Sequence, residues 1–310
     1  MKPARVIALG CQARKLLERY ERWRVLACFE RCAYLAANSG QRIVCLAHDS
    51  LGNGPLNILL ATALPDRGFM ALIPPPGSPA GEACRVRGFT LHVAGLPPLC
   101  LDGPPVWSPA PFPEYAHERL GRTLQRLAET VLPGLALPGV AGLLFPGLFP
   151  STPTMIDREL ASRIEAARAA MDGWFCDGGN RRLALLVGTL KAMVGMGRGL
   201  TPSGDDFIGG VLLALHAMGE GEAARVLYGR LVPALEDDTN VISRALLACA
   251  AKGLAGEGIH DILAQLSRVS ASIGLSALNH MGHTSGWDTF LGIASAMSAC
   301  SKARTEQVPR

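Results

Sequence analysis

The sequence predicts an α+β protein: a small β-rich N-terminal domain followed by a mostly α-helical C-terminal domain. Before about residue 115, short apolar runs are bounded by Gly, Pro, Asn and Asp, the punctuation of strands and turns. From His117 onward the apolar residues recur at helical spacing instead. Between the two patterns lies Val131–Pro150 (VLPGLALPGVAGLLFPGLFP), uncharged but broken by prolines at 133, 138, 146 and 150. The expected organisation is therefore 1–115 as the β domain, 116–156 as a Pro/Gly-rich apolar connector with one helix, and 157–310 as the helical domain.

Within the first part, extended segments are expected at Arg42–Ala47, Asn57–Ala61, Phe69–Ile73 and Phe89–Ala94, with PPPG and LPPL turns between them. Mostly antiparallel pairing follows from such short connections. Asn53 and Asn57 in LGNGPLN read as turn residues that can also line a cleft. In the second part, helices are expected near 117–131, 157–172, 181–194, 203–219, 220–235, 240–252, 260–273 and 285–300. His216, inside an apolar helix, reads as a core histidine, and His117 and His260 as helix-end residues.

Composition narrows the function classes. The formal charge of +4 is spread along 310 residues without a basic run interleaved with aromatics, which argues against nucleic acid as a partner. Nine cysteines, at 11, 28, 32, 45, 84, 100, 176, 249 and 300, never form a CxxC spacing, so a reducing cytoplasm suits them better than a disulfide framework or a zinc site. The apolar run Val6–Gly10 is too short for a signal sequence, whose core spans ~7–15 residues. Four prolines in the uncharged 131–150 segment release backbone groups that lipid cannot satisfy, so it is expected to be irregular, and no membrane partner is expected.

The segment richest in chemistry is Gly195–Phe207, GMGRGLTPSGDDF, at a junction between two predicted helices. Gly195, Gly197 and Gly199 suit the end of one helix. Thr201 suits the N-cap of the next and Pro202 its first position. A helix start offers unpaired N–H groups and partial positive charge, so a glycine-lined approach to it can receive a carboxylate or phosphate, with Arg198 adding a bidentate contact. Glycine at 204, 209 and 210 costs helix stability, up to ~1 kcal/mol each, which points to close approach by a ligand or another backbone. The pattern lacks the Gly-Lys-Ser/Thr of a P-loop, the preceding strand of a dinucleotide fingerprint and the spacing of a nucleophile elbow.

A second copy lies 82 residues on. Ser203-Gly-Asp-Asp-Phe-Ile-Gly-Gly-Val211 aligns with Ser285-Gly-Trp-Asp-Thr-Phe-Leu-Gly-Ile293 as S-G-x-D-x-[IF]-x-G-[VI]. If this is an internal repeat, two helix starts face one ligand across a pseudo-twofold axis, with Ser203 and Ser285 in one shared pocket. Between the copies, Asp237–Arg244 (DDTNVISR) is another acidic, hydroxyl-bearing helix start.

The residues GMGRGLTPSGDDF, the segment Thr239–Arg244 and the final GHTSGWD resemble the family of bacterial proteins that includes AllH, a subunit associated with oxamate carbamoyltransferase in anaerobic allantoin breakdown. The resemblance extends along the chain through LGNGPLNILL and Val106-Trp107-Ser108-Pro109. It implies exchange of a carbamoyl group between oxalurate and phosphate, giving oxamate and carbamoyl phosphate, with other subunits of a carbamoyltransferase complex as partners.

These substrates are small anions, and transfer between them needs positive partial charge at developing oxyanions together with groups that move protons. Gly197, Arg198, Gly199, Thr201, Ser203, Gly204, Thr239, Asn240, Ser243, Thr284, Ser285, Gly286 and Asp288 are the candidate substrate-binding residues. Asp206, Asp205 and His283 are the candidate proton carriers, with Asp206 preferred because it is the carboxylate repeated at Asp288. Adjacent aspartates point about 100° apart on a helix, so only one fully faces a given ligand. Their negative charge repels an anion unless a proton or cation intervenes. No metal ligands are assigned and the cofactor is left open, Mg²⁺ being a lesser alternative. The alternative function is a non-catalytic small-anion-binding or assembly subunit.

Overall fold

The computed structural model describes residues 4–37, 40–132, 135, 137–144, 154–268 and 274–306. It divides into two compact units, one spanning 1–110 with 255–257 and the other 111–254 with 258–310.

The first unit is a nine-stranded curled sheet. Its strands are β1 (Arg5–Gly10), β2 (Arg22–Cys28), β3 (Cys32–Ala37), β4 (Ile43–His48), β5 (Asn57–Ala61), β6 (Cys84–Arg87), β7 (Thr90–His92), β8 (Leu99–Cys100) and β9 (Val106–Trp107), in the order β8-β7-β6-β2-β3-β4-β5-β1-β9. Only β4–β5 and β1–β9 pair in parallel. The central strand β4 reads IVCLA because both of its faces are covered, which removes the polar alternation of a half-exposed strand. Val44 and Leu46 join the main core with Trp23, Leu35, Ile58 and Leu60, while Cys45 and Ala47 join a smaller cluster with Ala8 and Leu59. Helix α1 (Cys11–Arg19) contributes Ala13 and Leu17 to the main core. Asn57 serves as a turn residue, its Nδ2 donating to the Gly52 carbonyl.

One expected strand is a helix. Phe69–Leu72 forms the single turn α2, and Phe69 and Ile73, four residues apart, are both buried while Met70 is exposed. An entirely apolar run does not reveal its own period, and burial here follows the helical one.

The second unit is helical: α3 (His117–Arg126), continued by a π-helical turn at Leu127–Val131, then α4 (Gly139–Leu144), α5 (Met155–Asp177), α6 (Gly179–Lys191), α7 (Ser203–Ala217), α8 (Gly221–Asp238), α9 (Val241–Ala250), α10 (Glu257–Leu266) and α11 (Ser285–Glu306). Residues 137 and 138 are non-helical and α4 is short, so no continuous helix occupies the described part of 131–150; residues 133, 134, 136 and 145–150 lie outside the described residues. The expectation of helix to residue 273 extends past α10 into 269–273, which also lie outside them. No helix among the described residues is long and apolar enough to cross a membrane.

Helix α7 is buried almost all round, from Gly204 to Ala217, as befits the central element of a helical array. It packs on α8, α9 and, most extensively, α11. The paired glycines permit this. Gly209 lies against Leu247 and Ala250 of α9, whereas Gly210 meets the backbone of α11.

Candidate functional site

The loop before α7 is shaped by its own chain. Gly195, Gly197 and Gly199 have φ values of 71°, 126° and 84°, in the region that favours glycine. A Cβ at Gly195 would stand 2.1 Å from the Asp238 carbonyl, and one at Gly197 would stand 2.4 Å from the Ser203 nitrogen. The helix begins at Ser203, within the expected range, but its cap falls one residue later than the expected Thr201. Pro202 is the N-cap, its carbonyl accepting from Asp205 N at 2.9 Å and Asp206 N at 3.0 Å. Thr201 is thereby released from capping, and its hydroxyl meets that of Ser285 at 2.7 Å.

The two adjacent aspartates have different environments. Asp205, 1% exposed, accepts from Gly195 N at 2.8 Å through one oxygen, and from the hydroxyls of Thr239 and Ser243 through the other, the latter at 2.6 Å. Asn240 caps α9 by accepting from Ile242 N and Ser243 N, and its amide donates to the Leu200 carbonyl at 3.0 Å. Thr239, Asn240 and Ser243 therefore hold the glycine loop and Asp205 in place, a physical role different from the substrate contact expected of them. Substituting Asp205 with Ala leaves a buried N–H and two hydroxyls without their acceptor. The expected result is a loss of about 1–3 kcal/mol in urea unfolding, the scale of buried donors left without an acceptor.

Asp206 and Asp288 lie instead where the two motif copies cross, and the crossing is reciprocal. A Cβ on Gly210 would stand 2.0 Å from the Thr289 carbonyl, and one on Gly292 would stand 2.1 Å from that of Phe207. Phe207 and Thr289 are equivalent positions of the repeat. Equally, a Cβ on Gly204 would stand 2.0 Å from the Met193 carbonyl, and one on Gly286 would stand 2.3 Å from that of Leu278. The amides of these two glycines donate to Met196 and Met281 respectively. Two equivalent helices thus meet backbone to backbone about a local pseudo-twofold axis. The space that seemed reserved for a ligand at Gly204 and Gly286 is filled by the chain itself, so these glycines are needed for packing rather than ligand approach.

This crossing buries two carboxyls with oxygens that lack a hydrogen bond of ordinary geometry, although nearby hydroxyls act on both. Both oxygens of Asp288, itself 1% exposed, and Oδ2 of Asp206 are in this state among the described residues. Burial pushes the Asp288 carboxyl up to about 6, opposed by the hydroxyls of Ser203 and Thr284 and assisted by the negative charge of Asp157. Burial pushes Asp206 well above the usual carboxylate range; Ser285 and Thr201 oppose this, while Asp288 and Asp205 add to it. The serines act crosswise, each on the aspartate of the other copy. Pairs of carboxyls whose environments separate their proton affinities are the usual arrangement of a general acid with a general base.

Other candidates stand apart from this pair. Arg198 and His283 are exposed, and Arg198 forms no ion pair among the described residues. His216 Nε2 lies 2.9 Å from the Ala251 carbonyl, and His260 stacks on Phe112 with centroids 5.1 Å apart, its pKa lowered by burial to about 4. No group of three or more His, Cys, Asp or Glu that could hold a metal occurs among the described residues. A cleft of about 730 Å³ lies between α3, α5 and α11, lined by residues that include Leu124, Arg168 and Phe290, away from the aspartate pair.

Two neighbours escaped the sequence reading. Asp157 closes a capping box with Thr154 at the start of α5, accepting from Thr154 N and Oγ1 at 2.8 Å each. The T-x-x-D spacing is a recognisable capping signal, but nothing in it indicates proximity to Asp288. Gly139, at the start of α4, is the other: its added Cβ would lie 3.1 Å from Thr284 Cγ2.

Residues 193–297, which contain both motif copies, match the family model AllH, described as oxamate carbamoyltransferase subunit AllH. The resemblance drawn from the motifs and this match concern the same segment. No solved structure matches the chain.

Proposed function

We propose that the chain is a subunit of an oxamate carbamoyltransferase-like enzyme, that the start of α7 and the start of α11 together bind a small anionic substrate, and that Asp206 and Asp288 move protons during carbamoyl transfer between oxalurate and phosphate. The observation that carries this reading is the pair of buried carboxyls with free oxygens at two crossed helix starts. Without a protein partner such oxygens are costly, and that cost is common where a ligand supplies the partner. The raised proton affinities also answer the problem of repulsion, because a protonated carboxyl donates a hydrogen bond to an anion. The helix starts add the partial positive charge of their dipoles. The nine scattered cysteines, without a CxxC spacing, suit a reducing, cytoplasmic setting.

A non-catalytic subunit is the second reading, favoured by the filling of Gly204 and Gly286 by backbone and by the engagement of Thr239, Asn240 and Ser243 within the chain. Phosphate-dependent release of oxamate from oxalurate separates the two, measured with the purified chain alone and in complex with its partner subunits. The catalytic reading expects activity in at least the complex and its loss in a complex carrying Asp206→Asn. Full activity of that variant complex contradicts it.

A further inference from the structure

We infer that the Asp206–Asp288 pair recognises and activates a primary amide, one carboxyl donating to the amide oxygen while the other accepts an amide N–H. This rests on the reading of the pair as the substrate site and specifies what kind of substrate the pair acts upon. The inference starts from hydrogen-bond inventory. Three buried carboxyl oxygens, Asp206 Oδ2 and both of Asp288, lack a hydrogen bond of ordinary geometry; the donors that act on the two carboxyls are hydroxyls, and no lysine, arginine or histidine is among the groups that do. The groups that do act on them are acidic or hydroxylic: Asp205, Thr201 and Ser203 from α7 and the loop before it, Thr284 and Ser285 from the start of α11, and Asp157 from α5. A pocket made only for a dianion has no use for two carboxyls. A carboxyl and a carboxylate side by side present one O–H donor and several acceptors, and a primary amide presents the complement, a carbonyl acceptor beside N–H donors. The oxygen inventory assigns the roles, with Asp206, which has one open oxygen, holding the proton and Asp288, which has two, receiving one.

The chemistry needs this assistance because an amide nitrogen is a poor nucleophile, its lone pair being delocalised into the carbonyl. In the bound pair, Asp206 transfers its proton to the amide oxygen and Asp288 takes one proton from the nitrogen, leaving the imidic-acid tautomer with a localised nitrogen lone pair. That nitrogen attacks the carbamoyl carbon of carbamoyl phosphate. A C–N bond forms, the C–O bond to phosphate breaks, and the electron pair leaves with phosphate, which takes the proton held by Asp288. The O–H proton of the former amide oxygen returns to Asp206, restoring the pair. The products are the N-carbamoyl amide and hydrogen phosphate, with every proton accounted for. Ser203 and Ser285 are positioning residues in this scheme, each acting on the carboxyl of the opposite helix.

Tautomerisation alone exchanges amide protons with water, so the inference can be tested with the full-length chain and oxamate without a carbamoyl donor. Exchange of the oxamate N–H protons is followed by NMR saturation transfer, and oxamate and N,N-dimethyloxamate binding by calorimetry. The expected result is catalysed exchange about 10²-fold or more above buffer, the scale of general acid–base assistance. This acceleration should be absent in folded Asp206→Asn and Asp288→Asn proteins, and N,N-dimethyloxamate should bind at least about tenfold more weakly than oxamate for want of its N–H donors. Oxamate binding that is abolished by Asp206→Asn but produces no acceleration of exchange would overturn amide activation while leaving the anion-site reading standing. Absence of oxamate binding by the folded chain would overturn both.

Discussion

Replacing Asp288 with Asn is expected to lower carbamoyl transfer by about 10²–10⁴-fold, the scale of a lost general acid or base, and at the same time to make the protein more stable at neutral pH. The two effects have one origin. The carboxyl is 1% exposed, and the hydroxyls of Ser203 and Thr284 only partly offset the burial of its charge, which is held at the crossing of α7 and α11 at a cost. Its pKa rises from 3.8 to about 6 on folding. Between those values the folded state binds more protons than the unfolded state, so stability falls as pH increases. The contribution is fully present below the unfolded value and lost as pH rises through about 6. A shift of this size corresponds to about 3 kcal/mol. Thermal unfolding between pH 4 and 8 should therefore show the parent losing stability through the window while Asp288→Asn stays flatter and unfolds at higher temperature at pH 8. Asp206→Asn should behave alike, because burial also raises that carboxyl well above the usual range. A variant with lower stability at pH 8 than the parent, or with undiminished activity in the assembled complex, would contradict this account. Such residues are the expected place for function to be bought with stability.

The second large effect concerns the glycines that let the two motif copies cross. Gly210→Val and Gly292→Val each put a side chain where an added Cβ already stands about 2 Å from a carbonyl oxygen of the opposite helix. Neither oxygen belongs to a flexible side-chain end, so relief requires α7 and α11 to separate, opening a core that includes Phe207, Val211, Phe290 and Ile293. Overpacking in well-packed interiors typically costs about 1–3 kcal/mol, and displacement of two whole backbones should exceed that range. The expected outcome is a protein without a cooperative thermal transition in its helical unit, measured by circular dichroism. A valine at Gly199 is the informative contrast, since nothing lies within 4 Å of its added Cβ and only its φ of 84° resists substitution. That variant should fold with a penalty of about 1–2 kcal/mol. Equal behaviour of Gly199→Val and Gly210→Val would show that the reciprocal contact is not what the glycines are for.

The repeated motif at the candidate site is more legible in the sequence than the individual strands of the sheet are. The S-G-x-D copies are legible because close helix crossing and burial of an acid each demand a particular residue type at a particular place, and the chain meets that demand twice. Helical geometry allowed only one of Asp205 and Asp206 to face a given ligand, and the repeat at Asp288 singled out Asp206. Sequence spacing could not show that Gly204 and Gly286 are filled by carbonyls of Met193 and Leu278, because a glycine that admits a ligand and one that admits the chain look the same. Nor could it show that Arg198 and His283 are exposed. In the sheet, β4 and β5 stood out as compact apolar runs, and Thr90–His92 fell within the expected Phe89–Ala94 segment. The strand RWRVLAC was missed because alternating arginines and a tryptophan resemble an amphipathic segment of either kind, and two-residue strands such as β8 and β9 exist through pairing rather than local preference.

The central claim is that Asp206 and Asp288 form one proton-carrying site that a small anion occupies. Carbon-13 NMR of the aspartate side-chain carboxyls, recorded against pH with and without saturating oxamate, addresses it directly. The account expects Asp288 to titrate at about 6 and Asp206 well above the usual carboxylate range, both resonances shifting together when oxamate binds. Titration of both groups in the ordinary range near 4, with neither resonance responding to oxamate, would contradict it.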